Sequence, residues 1–519
     1  MQEGKNLDLF SEKVFHRFME LIYKYRYVIL GSMVVGLLAY TFAFTNKLPN
    51  HDDVSALFYK GTTAQSGRFG LLLMEKLFPN YSMPWIYGIL SLVISTIGNC
   101  MIVKIFGIKS PVLQFLLGGM IISFPSQIGI FAYMFTASSY SVAYSLAVWS
   151  IYLLTREKKR YVPLAVLALL GSLSIYQGYL ATAVSLSILY LIQRVILNRG
   201  SAGELFRKGV FYVCFFLVSL VLYWVMSEIL WKVLDSGMGA YADNALALGK
   251  SSVLDGVKNA YRNFFRIILL RKYSLIPTKT AQYMHYLTIG ILGIEMLLFL
   301  LSKQSRTRKL LLLFLFAVLP LGINCIYLIV AERSVHTLVL MSFTAIYVLF
   351  AILIEYGRGQ AVAKQLLNKL HALMLDLCVA AMSVIILINV YIANEAYLNM
   401  HMAYENTYSL ANSVVTQLQS TPGYTADSKV ALVGTYQKPP YYGQFFSNIT
   451  GLMGVQGMTP GGGAGRFFFA YYTGQPLNWA TQEELEQLLE AEEVSQMPSY
   501  PSNGYISQVD GIFVIKLSE

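Results

Sequence analysis

Two carboxylates stand side by side at Asp52 and Asp53, behind Asn50 and His51 and just beyond an apolar run that ends near Phe44. Such a pair can act as a general base, contribute to a metal site, or cap the helix that Val54-Ser55-Ala56-Leu57 would begin. Arg262 and Arg266 lie four residues apart in Tyr261-Arg262-Asn263-Phe264-Phe265-Arg266-Ile267-Ile268, so they share one face of a helix whose other face is aromatic and aliphatic. The stretch 256–283 around them holds six basic residues and no acidic one. Guanidinium forks there suit a phosphate, and the alternative is general attraction to anionic lipid headgroups. Glu332-Arg333, with His336 nearby, is either a solvated charged turn or a further arm of that phosphate site, facing a cavity shared with Asp52 and Arg262. Tyr176-Gln177-Gly178-Tyr179 adds the hydrogen-bonding and stacking groups that sugar sites use.

The elements that must position these groups are transmembrane helices. Hydrophobic residues make up 56% of the 519 and charged residues 13%, where soluble chains carry about 25% charge; mean hydropathy is +0.53. A bilayer core of about 30 Å needs about 20 apolar residues in a helix, and backbone satisfaction excludes open strands. Eleven runs qualify, the first at 27–44 and the last at 373–393, with only Gln177 and Gly178 dividing the fifth from the sixth. With the N-terminus in the cytoplasm, 22 of the 39 Lys and Arg residues fall on the cytoplasmic side, and most of the others lie in the long loop and the C-terminal segment, which the rule does not count. The odd number of spans then puts residues 394–519 outside. That segment has 4 basic and 11 acidic residues, so it carries −7 and the rest of the chain +18.

The expected organisation is therefore a transmembrane domain, 1–393, and a small extracytoplasmic α/β or α+β domain, 394–519. The latter has a helical run at 394–418, a strand at 429–434, an acidic helix at 481–493 and a closing strand at 511–516. Cys100, Cys214, Cys325 and Cys378 each fall in an apolar run, with neither CxxC spacing nor a disulfide framework. Gly461-Gly462-Gly463-Ala464-Gly465-Arg466 lacks the GK[ST] of a phosphate loop and reads as a flexible loop. Neither HExxH, G-x-S-x-G nor an aromatic-basic platform occurs, which argues against nucleic acid and cytosolic nucleotide chemistry.

Asn50-His51-Asp52-Asp53 after a first span, followed by Ser66-Gly67-Arg68-Phe69, resembles the bacterial glucosyl transferase family of serotype-converting O-antigen enzymes, of the polytopic GT-C class. Ser174-Ile175-Tyr176-Gln177 and the closing Met497-Pro498-Ser499-Tyr500-Pro501 and Val514-Ile515-Lys516-Leu517 segments resemble its Gram-positive members. Many GT-C enzymes carry Asp-Glu where this chain has Asp-Asp, so either aspartate is open as the base, with Asp52 favoured. The resemblance implies a GT-C-like polytopic helical enzyme of the bacterial plasma membrane that inverts a hexose such as glucose from a polyprenyl-phosphate donor onto a polysaccharide or glycolipid acceptor. It implies Asp52 and Asp53 as catalytic residues, Arg262, Arg266 and Arg333 on the leaving phosphate, and Arg68, Tyr176 and Gln177 on the substrate. No cofactor is expected and a divalent metal is not required. Without a base the same outer arginines would serve a transporter or flippase for a lipid-linked anion, and a non-catalytic scaffold presenting the outer domain is a third reading.

Overall fold

Lipid offers a backbone no hydrogen-bond partners, so the apolar runs fold as helices, and proline, serine and glycine mark where they begin and end. The computed structural model describes residues 10–56, 65–79, 81–235, 237, 252–270, 278–301, 304–330, 335–357, 365–435, 449 and 463–518. Amphipathic α1 (Phe10–Lys24) leads into α2 (Arg26–Thr45), and the loop after it carries two short helices, α3 (His51–Ala56) and α4 (Gly70–Met74). Then come α5 (Pro84–Phe106), α6 (Pro111–Ile122), α7 (Pro125–Ala132), α8 (Met134–Thr155), α9 (Val162–Ile175), α10 (Leu180–Ile196) and α11 (Ala202–Val233). Amphipathic α12 (Val253–Leu269) precedes α13 (Lys279–Leu301), α14 (Arg306–Ile323), α15 (Ala345–Gly357) and α16 (Gln365–Ser420), the last of 56 residues.

Proline in the first turn of α5, α6, α7 and α9 sets φ where the missing N–H costs nothing. A reciprocal Ser201–Glu204 capping box starts α11. The bundle closes on small residues: a Cβ at Gly31 would stand 2.1 Å from the Phe115 carbonyl oxygen, and one at Gly118 would stand 2.4 Å from that of Val28, so α2 and α6 cross at a distance only glycine permits. Between α5 and α8 the contact is polar, with Ser91 to Ser138 and Ser95 to Ser141 both at 3.1 Å. Asn99 donates to Ser32 on α2 at 3.0 Å and accepts from Tyr144 at 2.8 Å.

Among the described residues seven helices are long and apolar enough to cross a membrane, eight if α6 and α7, bent by 45°, count as one broken span. The other three of the eleven expected runs fall short for local reasons. α9 has only 14 residues, α8 is rich in Ser, Thr and Tyr, and α14 opens on Arg306, Arg308 and Lys309. The boundary expected at 393/394 falls inside α16, which runs without a break from the bundle into the C-terminal segment.

That segment adds β1 (Lys429–Val433), α17 (Gly463–Tyr472), β2 (Asn478–Trp479), α18 (Gln482–Glu490), α19 (Glu492–Gln496), β3 (Ile506–Val509) and β4 (Ile512–Lys516). The sheet order is β2-β1-β4-β3, with β1 parallel to β2 and β4, and β3 antiparallel to β4. Asp510 and Gly511, both at positive φ, form the two-residue turn of the β3–β4 hairpin. Alternate residues of β1 and β4 face opposite ways: Val430, Leu432, Phe513 and Ile515 pack on Leu410, Val414 and Leu418 of α16 and Phe468 of α17, while Ala431, Val433 and Val514 pack on Leu485, Leu488 and Val494. The result is three layers, helix on sheet on helix. Within it Lys516 is only 5% exposed, and its Nζ donates to the carbonyls of Val494, Ser495 and Met497 at 2.9, 2.7 and 2.8 Å, satisfying the freed C-terminal end of α19.

Replacing Lys516 with Met keeps the apolar stem and leaves those three carbonyls without a donor, an expected loss of about 3 kcal/mol in module stability. Hydrogen exchange of β1 and β4 should accelerate on the order of 100-fold while α5 and α8 are unchanged. Exchange within twofold of wild type would remove this role.

Candidate active site

Asn50 folds the Asp-Asp turn. Its Oδ1 accepts from the Asp53 backbone N–H at 2.9 Å, and its Nδ2 donates to the Ala132 carbonyl at 2.6 Å, which ties the turn to the end of α7. The cap expected from an aspartate is thus supplied by Asn50, and the aspartates fall inside the first turn of α3. Helical phase separates them: Asp52 is exposed and Asp53 is 1% exposed. Asp53 Oδ2 accepts from Lys47 Nζ at 2.7 Å, whereas Oδ1 is buried and has no hydrogen-bond partner among the described residues.

The next residue, Val54, is fully buried in the core of the C-terminal module, in one cluster with Phe468 of α17. At the end of α17 the ring of Tyr472 stacks on Phe468 with centroids 4.8 Å apart and meets Tyr404 edge-on at 5.7 Å. Its hydroxyl is also buried without a partner among the described residues. Burial, and then the Asp53 carboxylate, push the phenol well above its ordinary range, so Tyr472 keeps its proton and can donate.

A second cluster stands at the same end of the bundle. Arg68 Nη1 donates to Tyr140 Oη at 3.2 Å, and its guanidinium lies 5.5 Å from the centre of the Tyr176 ring, which stacks on Tyr140 at 4.2 Å. Gln177 Nε2 donates to the Ser66 carbonyl at 3.1 Å and to Tyr223 Oη at 2.7 Å, and Tyr223 in turn donates to the Gly67 carbonyl at 2.9 Å. Gly67 sits at φ 70° with the Tyr223 hydroxyl 2.4 Å from where a Cβ would be, so two constraints require glycine. Arg68, Tyr176 and Gln177 are therefore one assembly. From Met134, just past the Ala132 anchor, to Tyr140 the chain rises about 9 Å.

The arginine helix packs on another part of the bundle, with Val339 both against its Ala260 cluster and beside Gly178 of the second cluster. α12 docks through Gly256, Ala260 and Asn263 on the turn Cys325–Leu328, with Asn324 Nδ2 donating to the Ala260 carbonyl at 2.9 Å. Arg262 lies on the opposite, exposed side of α12, and Arg266 is half-buried on its flank. Glu332 and Arg333 lie outside the described residues, as do Gly461 and Gly462. Among the described residues no three His, Cys, Asp or Glu side chains converge as a metal site would require.

Reading the residues in order misses Lys47, Tyr140, Tyr223 and Tyr472. Asn50 alone carried a local signal, an Asn three residues before an Asp at a helix start. Lys47 comes from the same loop, six residues before Asp53, and the three tyrosines are brought in by tertiary packing, Tyr472 from the far end of the chain.

In comparison with known proteins, no curated protein and no solved structure matches the chain. A family model described as glucosyl transferase GtrII matches residues 41–349. That stretch includes the Asp52–Asp53 turn, the Arg68 assembly and α12, stops short of α16 and the C-terminal module, and covers more than half of the 519 residues. The chain belongs to the glucosyl transferase GtrII family.

Proposed function

We propose that the protein transfers glucose, or a closely similar hexose, from a polyprenyl-phosphate donor to a polysaccharide or glycolipid acceptor on the outer face of the bacterial plasma membrane, with inversion at the anomeric carbon. Family membership supports glucosyl transfer. The observation that carries the reaction type is Asp53, a carboxylate almost wholly removed from water, with one oxygen on Lys47 and the other unsatisfied. Asp53 takes the acceptor's proton through Oδ1 while Lys47 holds Oδ2. Asp52, the aspartate first expected as the base, is exposed and flanks the site.

The donor's lipid lies between spans and its phosphate at the membrane surface, near Arg262 and Arg266 of α12 and Arg333. There guanidinium groups offset the charge that grows on the leaving group. Arg68, Tyr176 and Gln177 hold the sugar through stacking and planar hydrogen bonds. The scheme uses neither nucleotide nor metal. The N-terminus is cytoplasmic and the module that follows α16 is outside, next to the acceptor.

Asp53→Asn preserves size and removes basicity, so sugar transfer should fall on the order of 100-fold or more, and Asp52→Asn by less than about 10-fold. Release of polyprenyl phosphate from a synthetic glucosyl donor measures both, and wild-type turnover in Asp53→Asn would eliminate it as the base. For the phosphate, Arg266→Ala should weaken donor use far more than Lys279→Ala, and Arg266→Lys should restore it only in part because an ammonium lacks the planar fork. Equal small effects at both positions would reduce α12 to a general lipid-surface helix.

Orientation is tested in cells. With the four native cysteines removed, a cysteine at Asn503 should react with an impermeant thiol reagent and one at Lys158 should not, both positions being exposed. The reverse labelling would put the Asp-Asp turn in the cytoplasm and end the polyprenyl-donor scheme.

A further inference from the structure

Asp53 Oδ1 and Tyr472 Oη are buried polar atoms from distant parts of the chain, and neither has a hydrogen-bond partner among the described residues. Leaving such groups unpaired typically costs about 1–3 kcal/mol each, so the pair has a strong demand for a bridging group. Their chemistries are complementary: the carboxylate oxygen only accepts, and the phenol can donate. Tertiary packing brings α3 and α17 together, since Val54, adjacent to Asp53, shares one apolar core with Phe468, on which the Tyr472 ring is stacked. The ring is held on a second side by Tyr404, so the hydroxyl cannot turn away without breaking both aromatic contacts. Yet the two atoms do not bond each other. One hydroxyl, donating to Asp53 and accepting from Tyr472, would satisfy both.

We propose that the acceptor's reacting hydroxyl binds between Asp53 Oδ1 and Tyr472 Oη, so that the C-terminal module supplies an acceptor-positioning residue to a site otherwise built from the family-matched part of the chain. The inference rests on the glucosyl-transfer reading above. Tyr472 donates into one lone pair of the acceptor oxygen and leaves the other free to attack. The oxygen forms its bond to the anomeric carbon, its proton passes to Asp53 Oδ1, and the carbon–oxygen bond to phosphate breaks with its electron pair leaving on polyprenyl phosphate. Tyr472 thus acts on acceptor binding and orientation, with no part in holding the donor.

The test uses the full-length protein, undecaprenyl-phosphate glucose labelled in the sugar, and the cell-surface polysaccharide of a strain lacking the gene. Two products are counted, glucose on the polymer and free glucose released by water. Tyr472→Phe keeps the ring and its stacking, so half-saturation by the polymer should rise about 10-fold while hydrolysis to free glucose stays within about twofold of wild type. Tyr471→Phe, on the neighbouring and exposed ring, should change neither. An active wild type with a silent Tyr472→Phe overturns the acceptor site and leaves only a buried water between the two atoms. Equal loss of both products also overturns it, because the hydroxyl would then support the fold or the donor side. A wild-type protein that yields neither product overturns the glucosyl-transfer reading, and the acceptor site falls with it.

Discussion

Wherever a helix stops inside a bilayer-spanning bundle, its last carbonyls lose their partners, and water is not there to replace them. At the Asp-Asp end of this bundle side chains take over that work. Tyr40 donates to the Ile122 carbonyl at 2.6 Å where α6 breaks from α7, and Tyr397 of α16 donates to that of Ile128 at 2.7 Å. Ser342 donates to the carbonyl of Ile323, the last residue of α14, and Ser126 to that of Thr337, which opens the 3-10 stretch Thr337–Thr344, both at 2.6 Å. Asn50 does the same for Ala132, the last residue of α7, while Asn324, just past the end of α14, donates to the Ala260 carbonyl inside α12. These bonds hold irregular backbone at fixed positions, which continuous helices could not offer, and the Asp53 turn is one of the segments so held.

Residues that answer one constraint are therefore tied into a second. Asn50 ends α7 with its amide nitrogen and starts α3 with its oxygen, so the burial of Asp53 follows from how α7 terminates. Gln177 interrupts the hydrophobicity between α9 and α10, and its amide anchors the Ser66–Gly67 backbone that presents Arg68. The 3-10 turn Gln177–Tyr179 leads directly into the helix that resumes at Leu180.

Much of the fold was legible because burial in lipid leaves long unbroken signals. The positions of the apolar runs, the strands at β1 and β4 and the acidic α18 all follow from periodicity and composition. The number of helices able to span was not, since counting apolar runs does not register that α9 closes after 14 residues, that Ser, Thr and Tyr dilute α8, that α14 opens on three basic residues, or that the third run bends at Ser123-Phe124-Pro125. The continuity of α16 was hidden by its change of composition: residues on either side of 393 differ in polarity while the helix does not break. In the candidate site, adjacency made Asp52 and Asp53 look equivalent. Only the helical phase fixed by Asn50, and the docking of Val54 into a core more than 350 residues downstream, separate the exposed one from the buried one. Arg68, Tyr176 and Gln177 were each singled out in the sequence and meet through packing that the sequence does not display, while Tyr140 and Tyr223 are ordinary span residues until their hydroxyls are seen to meet a guanidinium and an amide.

The continuity of α16 has a mechanical consequence. A helix of 56 residues extends about 84 Å, enough to cross a bilayer and stand well above it as one rod. Its lower half is fixed to the bundle by Tyr397 on Ile128 and by Asn394 on the Leu38 carbonyl at 2.8 Å, and its upper half carries Leu410, Val414 and Leu418 into the sheet core. Val54 enters the same core from the opposite side of the chain, so the module is attached to the membrane domain at two points, a rod and a plug. Two attachments fix an orientation that one would leave free to rotate. The face of α17 that bears Tyr472 is thereby held over α3, and a module lying outside the matched stretch packs against the candidate site inside it.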